Sequence, residues 1–348
     1  MERFAGMSRE RLDEIVGRFA QTRIAVLGDY FLDKYLEVAP DLAERSVETG
    51  KIAHQVVGVR HSPGVAGTVV ANLAALGAGT LWAVGYTGND GEGYELRQGL
   101  TRLGCRLEHL HCSPDRKTPA YLKPCDVGVA GLDGEHSRYD VKNRTATEPT
   151  LESAVLASLD RLLPEVDAVI IADQVEEAEC GVVTTAVRNA LTERAAAYPR
   201  VVFLADSRRR IGHFQGVLVK PNQFEAVGHE CPGPGDRVSF DALAAALPAF
   251  RKKAAAPVLI TLGERGMLVS DPKPMHVPGI RVEGPTDPTG AGDSATAGAV
   301  LSLAAGATLP EACLIGNLVA SITIEQLGST GTARPEQLAP RLDRWRHQ

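Results

Sequence analysis

Asp287-Pro288-Thr289-Gly290-Ala291-Gly292-Asp293 runs directly into Ser294-Ala295-Thr296-Ala297-Gly298-Ala299-Val300. Three small residues end on a carboxylate, and a helix begins at once. Gly290, Ala291 and Gly292 leave backbone N–H groups uncovered, so these can converge on an anion. The helix that follows turns its positive end toward the same spot. Asp293 then stands beside the bound anion, where it can accept a proton from an attacking hydroxyl. The arrangement suits phosphoryl transfer. A lone Gly-x-Gly before a helix would read as an ordinary loop; the fourteen-residue string is far more specific.

Outward from this string the chain alternates strands and helices. Ile24-Ala25-Val26-Leu27 reads as a buried parallel strand, preceded by an amphipathic helix over 9–20. Small apolar residues over 65–76 read as a closely packed helix. Strands are expected at 81–84, 168–172, 201–205, 217–219 and 258–261, with helices at 91–103, 292–306 and 311–327. This alternation predicts an α/β, mostly parallel, doubly wound sheet with ligands at the strand C-terminal ends. Residues 33–60 differ in texture, alternating polar and apolar as in Tyr35-Leu36-Glu37-Val38, and read as a half-exposed β element. Residues 105–141 hold short strands broken by Pro, Gly and Asp.

The 348 residues allow about two domains or, equally well, one large α/β domain with a small appendage. A net charge of −6 argues against a nucleic-acid partner, which would need a basic face. No run of 18 apolar residues suggests a membrane span, and the N-terminus has no secretory h-region. The six cysteines form no CxxC pair, and the histidines show no HExxH spacing, so neither a disulfide framework nor catalytic zinc is indicated. A reduced, cytoplasmic protein is the expectation.

Two more clusters carry chemistry. Lys220-Pro221-Asn222-Gln223-Phe224-Glu225 follows a strand and opens a helix, with Asn222 and Glu225 sharing one helical face. They can help place a hard cation such as Mg²⁺, which wants few protein oxygens, or they can close a capping box; the two roles can coexist. In Thr261-Leu262-Gly263-Glu264-Arg265-Gly266 a strand ends in Thr and two glycines let backbone approach a ligand. Lys123 and Arg138 lie on candidate strands and can hold a phosphate already on the substrate, or stand as ordinary exposed basic residues.

The 287–300 string resembles the C-terminal signature of the ribokinase-like (PfkB) sugar kinase family. The other clusters are similar to that family's motifs and occur in its order, from about residue 23 to 335. Gly28-Asp29-Tyr30-Phe31-Leu32-Asp33 and Arg45-Ser46-Val47-Glu48 resemble the bacterial heptose-phosphate kinases within it. The resemblance implies one kinase domain over 1–348. It would be a ribokinase-like sheet of nine or so strands flanked by helices, with a small β lid from about 33–60 and 105–141 that pairs two copies into a homodimer. It implies ATP and Mg²⁺, with Asp293 as base and the 290–292 amides on the transferring group. Asn222 and Glu225 would place the metal. Lys220, Thr261, Gly263, Gly266 and Asn317 would serve the nucleotide site, and Asp33, Gly64, Thr68, Lys123 and Arg138 the sugar. Asp287 and the Gly328-Ser329 loop match where members bind a monovalent cation, K⁺. The stretch Pro63 to Gly77 departs from the family's first signature: Val65 replaces its second glycine and Thr68 a common asparagine. The activity implied is ATP-dependent phosphorylation of a sugar or sugar phosphate, heptose-7-phosphate-like. A nucleoside kinase, or a non-catalytic sensor of sugar or nucleotide, is the alternative.

Overall fold

The computed structural model describes residues 1–129, 134–233, 235–328 and 330–348. Six parallel strands form the main sheet, in the order Leu218–Val219, Val202–Ser207, Ala168–Asp173, Arg23–Gly28, Thr80–Gly88 and Leu110–Ser113. A second sheet orders Glu2–Arg3, Met275–Val277, Met267–Val269 and Leu259–Thr261, and joins the first through single bridges at Val219–Val258 and Asn222–Thr261.

The central strands are apolar along their middles, as over 24–27 and 168–172, because helices cover both faces. Ile24, Val26 and Ile170 point into one core, which the helices Ala66–Ala75, Ala291–Ala304, Leu309–Thr323 and Pro335–Arg346 complete. Ala25, Leu27, Val169 and Ile171 point into the other, closed by Pro149–Leu162, Thr185–Ala197 and Phe240–Ala254. The fold is therefore α/β and doubly wound, as the strand–helix alternation predicts. No helix among the described residues is long and apolar enough to cross a membrane.

A small third sheet stands apart, in the order Ile52–Val65, Tyr30–Arg45, Ala120–Asp126, Tyr139–Val141. The strand Tyr30–Arg45 continues Arg23–Gly28 of the main sheet with only Asp29 between them. The Asp29 carboxylate is buried and accepts from the N–H groups of Gln174, Val175 and Val182 at 2.7–2.9 Å, which anchors the crossing. Of the 105–141 segment expected in the small β element, Leu110–Ser113 instead forms the edge of the main sheet, paired with Gly85–Gly88. Residues 130–133 of that segment, and Ser329, lie outside the described residues.

Candidate active site

Gly290 caps the helix Ala291–Ala304 with φ +75°, in the left-handed region that favours glycine. A Cβ there would also meet the Thr330 and Thr68 methyls at 3.2 and 3.4 Å. Asp287 fixes the turn from the other end: its carboxylate accepts from Thr289 N–H at 3.0 Å and Gly328 N–H at 3.2 Å. The N–H groups of Gly290 and Gly292 have no acceptor among the described residues. The Ala291 N–H, expected to join them, instead donates to Pro288 O at 3.1 Å and so closes the turn.

Around this turn gather three carboxylates and one ammonium. Lys220 is buried, follows the strand Leu218–Val219, and pairs with Asp206 at 2.8 Å. Burial alone would lower its ammonium, but Asp206, with Asp293 and Glu225 behind it, holds it above the ordinary value. The Lys220 Nζ lies 3.7 Å from where a Cβ on Gly292 would stand, so the ammonium borders the amide cradle. Burial, then the charge of Asp206, push the half-buried Asp293 up to about 7. Burial and Asp206 likewise push Glu225 up to about 7, against the Asn222 N–H that it accepts at 2.7 Å. Thr296 reaches Asp206 at 3.4 Å and Gly292 O at 2.9 Å. Asp206 is the shared member of this cluster, and a single Asp at a strand end gives no sequence signal strong enough to rank it so.

Asn222 and Glu225 form a full capping box: Asn222 Oδ1 accepts from Phe224 N–H and Glu225 N–H at 2.8 and 3.0 Å. One side-chain oxygen of Glu225 remains beyond the cap. Thr261 aligns with Asn222 and donates its N–H to Pro221 O at 3.0 Å. Gly266 is required by packing, since a Cβ would fall 2.2 Å from Val277 O, whereas Gly263 faces open space. Asn317 spends its amide donors on Val277 O and Pro278 O at 3.3 and 3.2 Å.

Two cavities meet at the turn. One of about 1130 Å³ is lined by Thr261, Gly263, Gly266, Asn317, Ala291 and Gly292. The other, of about 420 Å³, lies against the small sheet and reaches Asp287, Thr289 and Gly328. Beside it Asp33, buried, stands 3.1 Å from Lys123, whose ammonium lies 4.9 Å from the Tyr35 ring centre. Gly64 makes room for that carboxylate: a Cβ would sit 3.0 Å from Asp33 Oδ2. Asp33 is close enough to add to the rise of Asp293, which brings the small sheet's carboxylate to the turn. Thr68 turns its hydroxyl toward Pro63 O at 3.5 Å. Asn72 is a core amide on Thr68 O and Gly331 O. Arg138 is half-exposed, stacks on Tyr121 at 4.0 Å and pairs with Asp140. Val65 adopts φ +58°, where a β-branched residue is strained by about 1–3 kcal/mol.

A doubly wound sheet with an amide-lined turn that two cavities touch, and a carboxylate and an ammonium beside it, suits a phosphotransferase-like α/β protein. The chain belongs to the pfkB family of carbohydrate kinases, whose family model matches residues 32–336. It is 32% identical over 318 residues to the bifunctional protein HldE of Caulobacter vibrioides, covering 89% of this chain and 62% of that protein. With HldE of Stutzerimonas stutzeri it shares 30% over 324 residues, covering 92% and 63%. The chain thus spans under two thirds of the length of these curated relatives. Among solved structures it superposes on Arabidopsis thaliana ribokinase complexed with ribose and ATP with a TM-score of 0.65 at 18% identity, covering 92% and 98% of the two chains. On phosphofructokinase-2 from Escherichia coli in complex with potassium the TM-score is 0.68 at 18% identity, covering 93% and 99%. These two establish the ribokinase-like fold.

Proposed function

We propose that the chain transfers the terminal phosphoryl group of ATP to a hydroxyl of a sugar or sugar phosphate. One observation carries this reading: Asp293 and Lys220 stand at the end of the 287–292 turn, which both cavities touch. The larger cavity takes the nucleotide and the smaller one, with Asp33, the acceptor. Asp293 removes the proton from the attacking hydroxyl as its oxygen bonds to phosphorus, and ADP leaves. Lys220 and the Gly290 and Gly292 amides balance the charge on the transferring group. Asp293 must be ionised to act, so turnover rises with pH through about 7.

Asp206 and Glu225 fit Mg²⁺: two carboxylates crowd one ammonium and the crowding is among the forces raising Glu225. Two carboxylates suffice for an ion that keeps waters and phosphate oxygens as its other ligands. When bound, Mg²⁺ neutralises phosphate charge. Asp287 retains lone pairs beyond its two amide donors, so a K⁺ role stays open to it. The exposed Val56, Val57 and Val59 of the small sheet support a homodimer through that face, which sedimentation can test. Six unpaired thiols fit a cytoplasmic site.

The test is a coupled ADP-release assay against pentoses, hexoses, heptoses, their phosphates, and adenosine and inosine. Acceptor-stimulated release supports the kinase, and a nucleoside outperforming every sugar would make it a nucleoside kinase. The departures at Val65 and Thr68 motivate a non-catalytic sensor instead; ligand binding with no turnover would favour it.

A further inference from the structure

We propose that Asp29 is a positioning residue for the acceptor side: its carboxylate pins the small sheet to the loop 174–182 and so sets where Asp33 and Thr68 stand against the 287–292 turn. The inference rests on the kinase reading and adds a residue that lines neither cavity.

Asp29 is the single residue between the strands Arg23–Gly28 and Tyr30–Arg45, and each of its polar atoms is bonded. Its N–H donates to Ala172 O at 3.0 Å, which continues the main sheet. Its C=O accepts from Ala66 N–H at 3.2 Å, at the start of the helix Ala66–Ala75. Oδ2 accepts from the N–H groups of Gln174 and Val175 at 2.8 and 2.9 Å, and Oδ1 from Val182 N–H at 2.7 Å. The neighbouring Asp173 is paired with Arg210 at 2.7 Å, whereas Asp29 is met by amides alone among the described residues. A buried carboxylate without a paired cation depends on such donors.

Three elements thus converge on one side chain and its backbone. The strand that leaves Asp29 carries Asp33 four residues on. The helix that starts on its carbonyl carries Thr68, whose methyl lies 3.4 Å from where a Cβ on Gly290 would stand. The loop that it holds is a platform. Phe31, with Val65 and Tyr121 beside it, packs on Val175 and Cys180 in a small apolar cluster apart from the two main cores.

The platform has other supports. Buried Arg116 donates to Cys180 O at 2.6 Å, Arg210 to Glu176 O at 3.1 Å, and the Thr147 hydroxyl to Gly181 O at 2.8 Å. Loss of the Asp29 carboxylate therefore frees the small sheet from its platform and leaves the platform and the 287–292 turn in place. A shift of about 1 Å in a reacting group can cost about 10²-fold in rate, so a loosened root is felt at the acceptor.

The experiment uses Asp29→Asn in the full chain. An amide keeps one acceptor oxygen and turns its NH₂ against the remaining N–H donors. Hydrogen exchange read by mass spectrometry should rise over 30–65 and 174–182, and stay unchanged over Ala168–Asp173 and Val202–Ser207. With the member of the acceptor panel that releases ADP fastest, the acceptor KM should rise about tenfold. The β,γ-imido analogue of ATP should bind as before by calorimetry. Gly181→Ala is the second variant. Its Cβ would stand 2.7 Å from Asp29 Oδ1, so it pushes the loop off an intact carboxylate and should give the same pattern. Exchange that rises equally in both sheets, or weakened binding of the ATP analogue, would make Asp29 a general fold residue and overturn the inference. Unchanged exchange over 30–65 in both variants would overturn it too. Absence of ADP release with every acceptor would instead refute the kinase reading, and the exchange pattern would still decide whether Asp29 holds the small sheet.

Discussion

The proposed donor side and the proposed acceptor side of this site are built differently. Around the 287–293 turn every element follows the family pattern: glycine where φ is positive, a carboxylate at the helix start, a lysine at a strand end. Where the small sheet runs into the helix Ala66–Ala75 the pattern breaks at two positions, with Val65 in a backbone region that glycine would occupy freely and Thr68 turned toward Pro63. Phosphoryl transfer poses one geometric problem whatever the acceptor, so its machinery varies little. The acceptor wall has to change with the substrate.

The largest effect that could break this contrast lies on the donor side. Asp293→Asn should lose about 10²–10⁴ in turnover with the fold intact, the size of a general-base contribution; steady-state rates and circular dichroism check it, and near-normal turnover would refute the base. Lys220→Met should cost about 10² in kcat, because one electrostatic partner of the transferring group is gone. A few-fold loss would mean that Lys220 serves only Asp206.

The same Asp293 substitution has a stability signature. A carboxyl raised from its ordinary value to about 7 lets its full stability stand below about pH 4, and that stability is lost as pH rises through about 7. Asp293→Asn should therefore melt several degrees above the natural protein at pH 8, by a smaller margin at pH 5, and near it below about pH 4. Equal melting at pH 8 would show that the carboxyl is not strained by its site.

Smaller effects probe the acceptor side. Thr68→Asn adds a hydrogen-bonding amide, worth about 0.5–1.5 kcal/mol, so the acceptor KM should fall up to about tenfold while the KM for ATP stays put. A change in the ATP term would erase the division between the two sides. Val65→Gly should raise stability by about 1 kcal/mol through relief of backbone strain, as read from denaturant midpoints. A loss would mean that its packing near Phe31 outweighs the strain.

Much of the main body is legible in the sequence because apolar runs such as Val169-Ile170-Ile171 leave few alternatives to a buried strand. The helices Phe240–Ala254 and Pro335–Arg346 are not, since Pro248 and Pro340 sit inside them and read as breaks. The short strands Met267–Val269 and Met275–Val277 carry too few residues for a period to emerge. At the site, the residues of the turn and of the capping box are readable from spacing. Tyr35 and Arg60 are not, because only strand pairing across the hairpin sets them opposite one another. Asp206 acquires its place from Lys220 and Thr296, which arrive from other parts of the chain.

The turn at 287–292 borders both cavities, and Gly290 is wedged between the methyls of Thr68 and Thr330. A wall shared in this way cannot move for one occupant without moving for the other. Nucleotide and acceptor should accordingly bind with linked affinities, each altering the other's dissociation constant by the same factor.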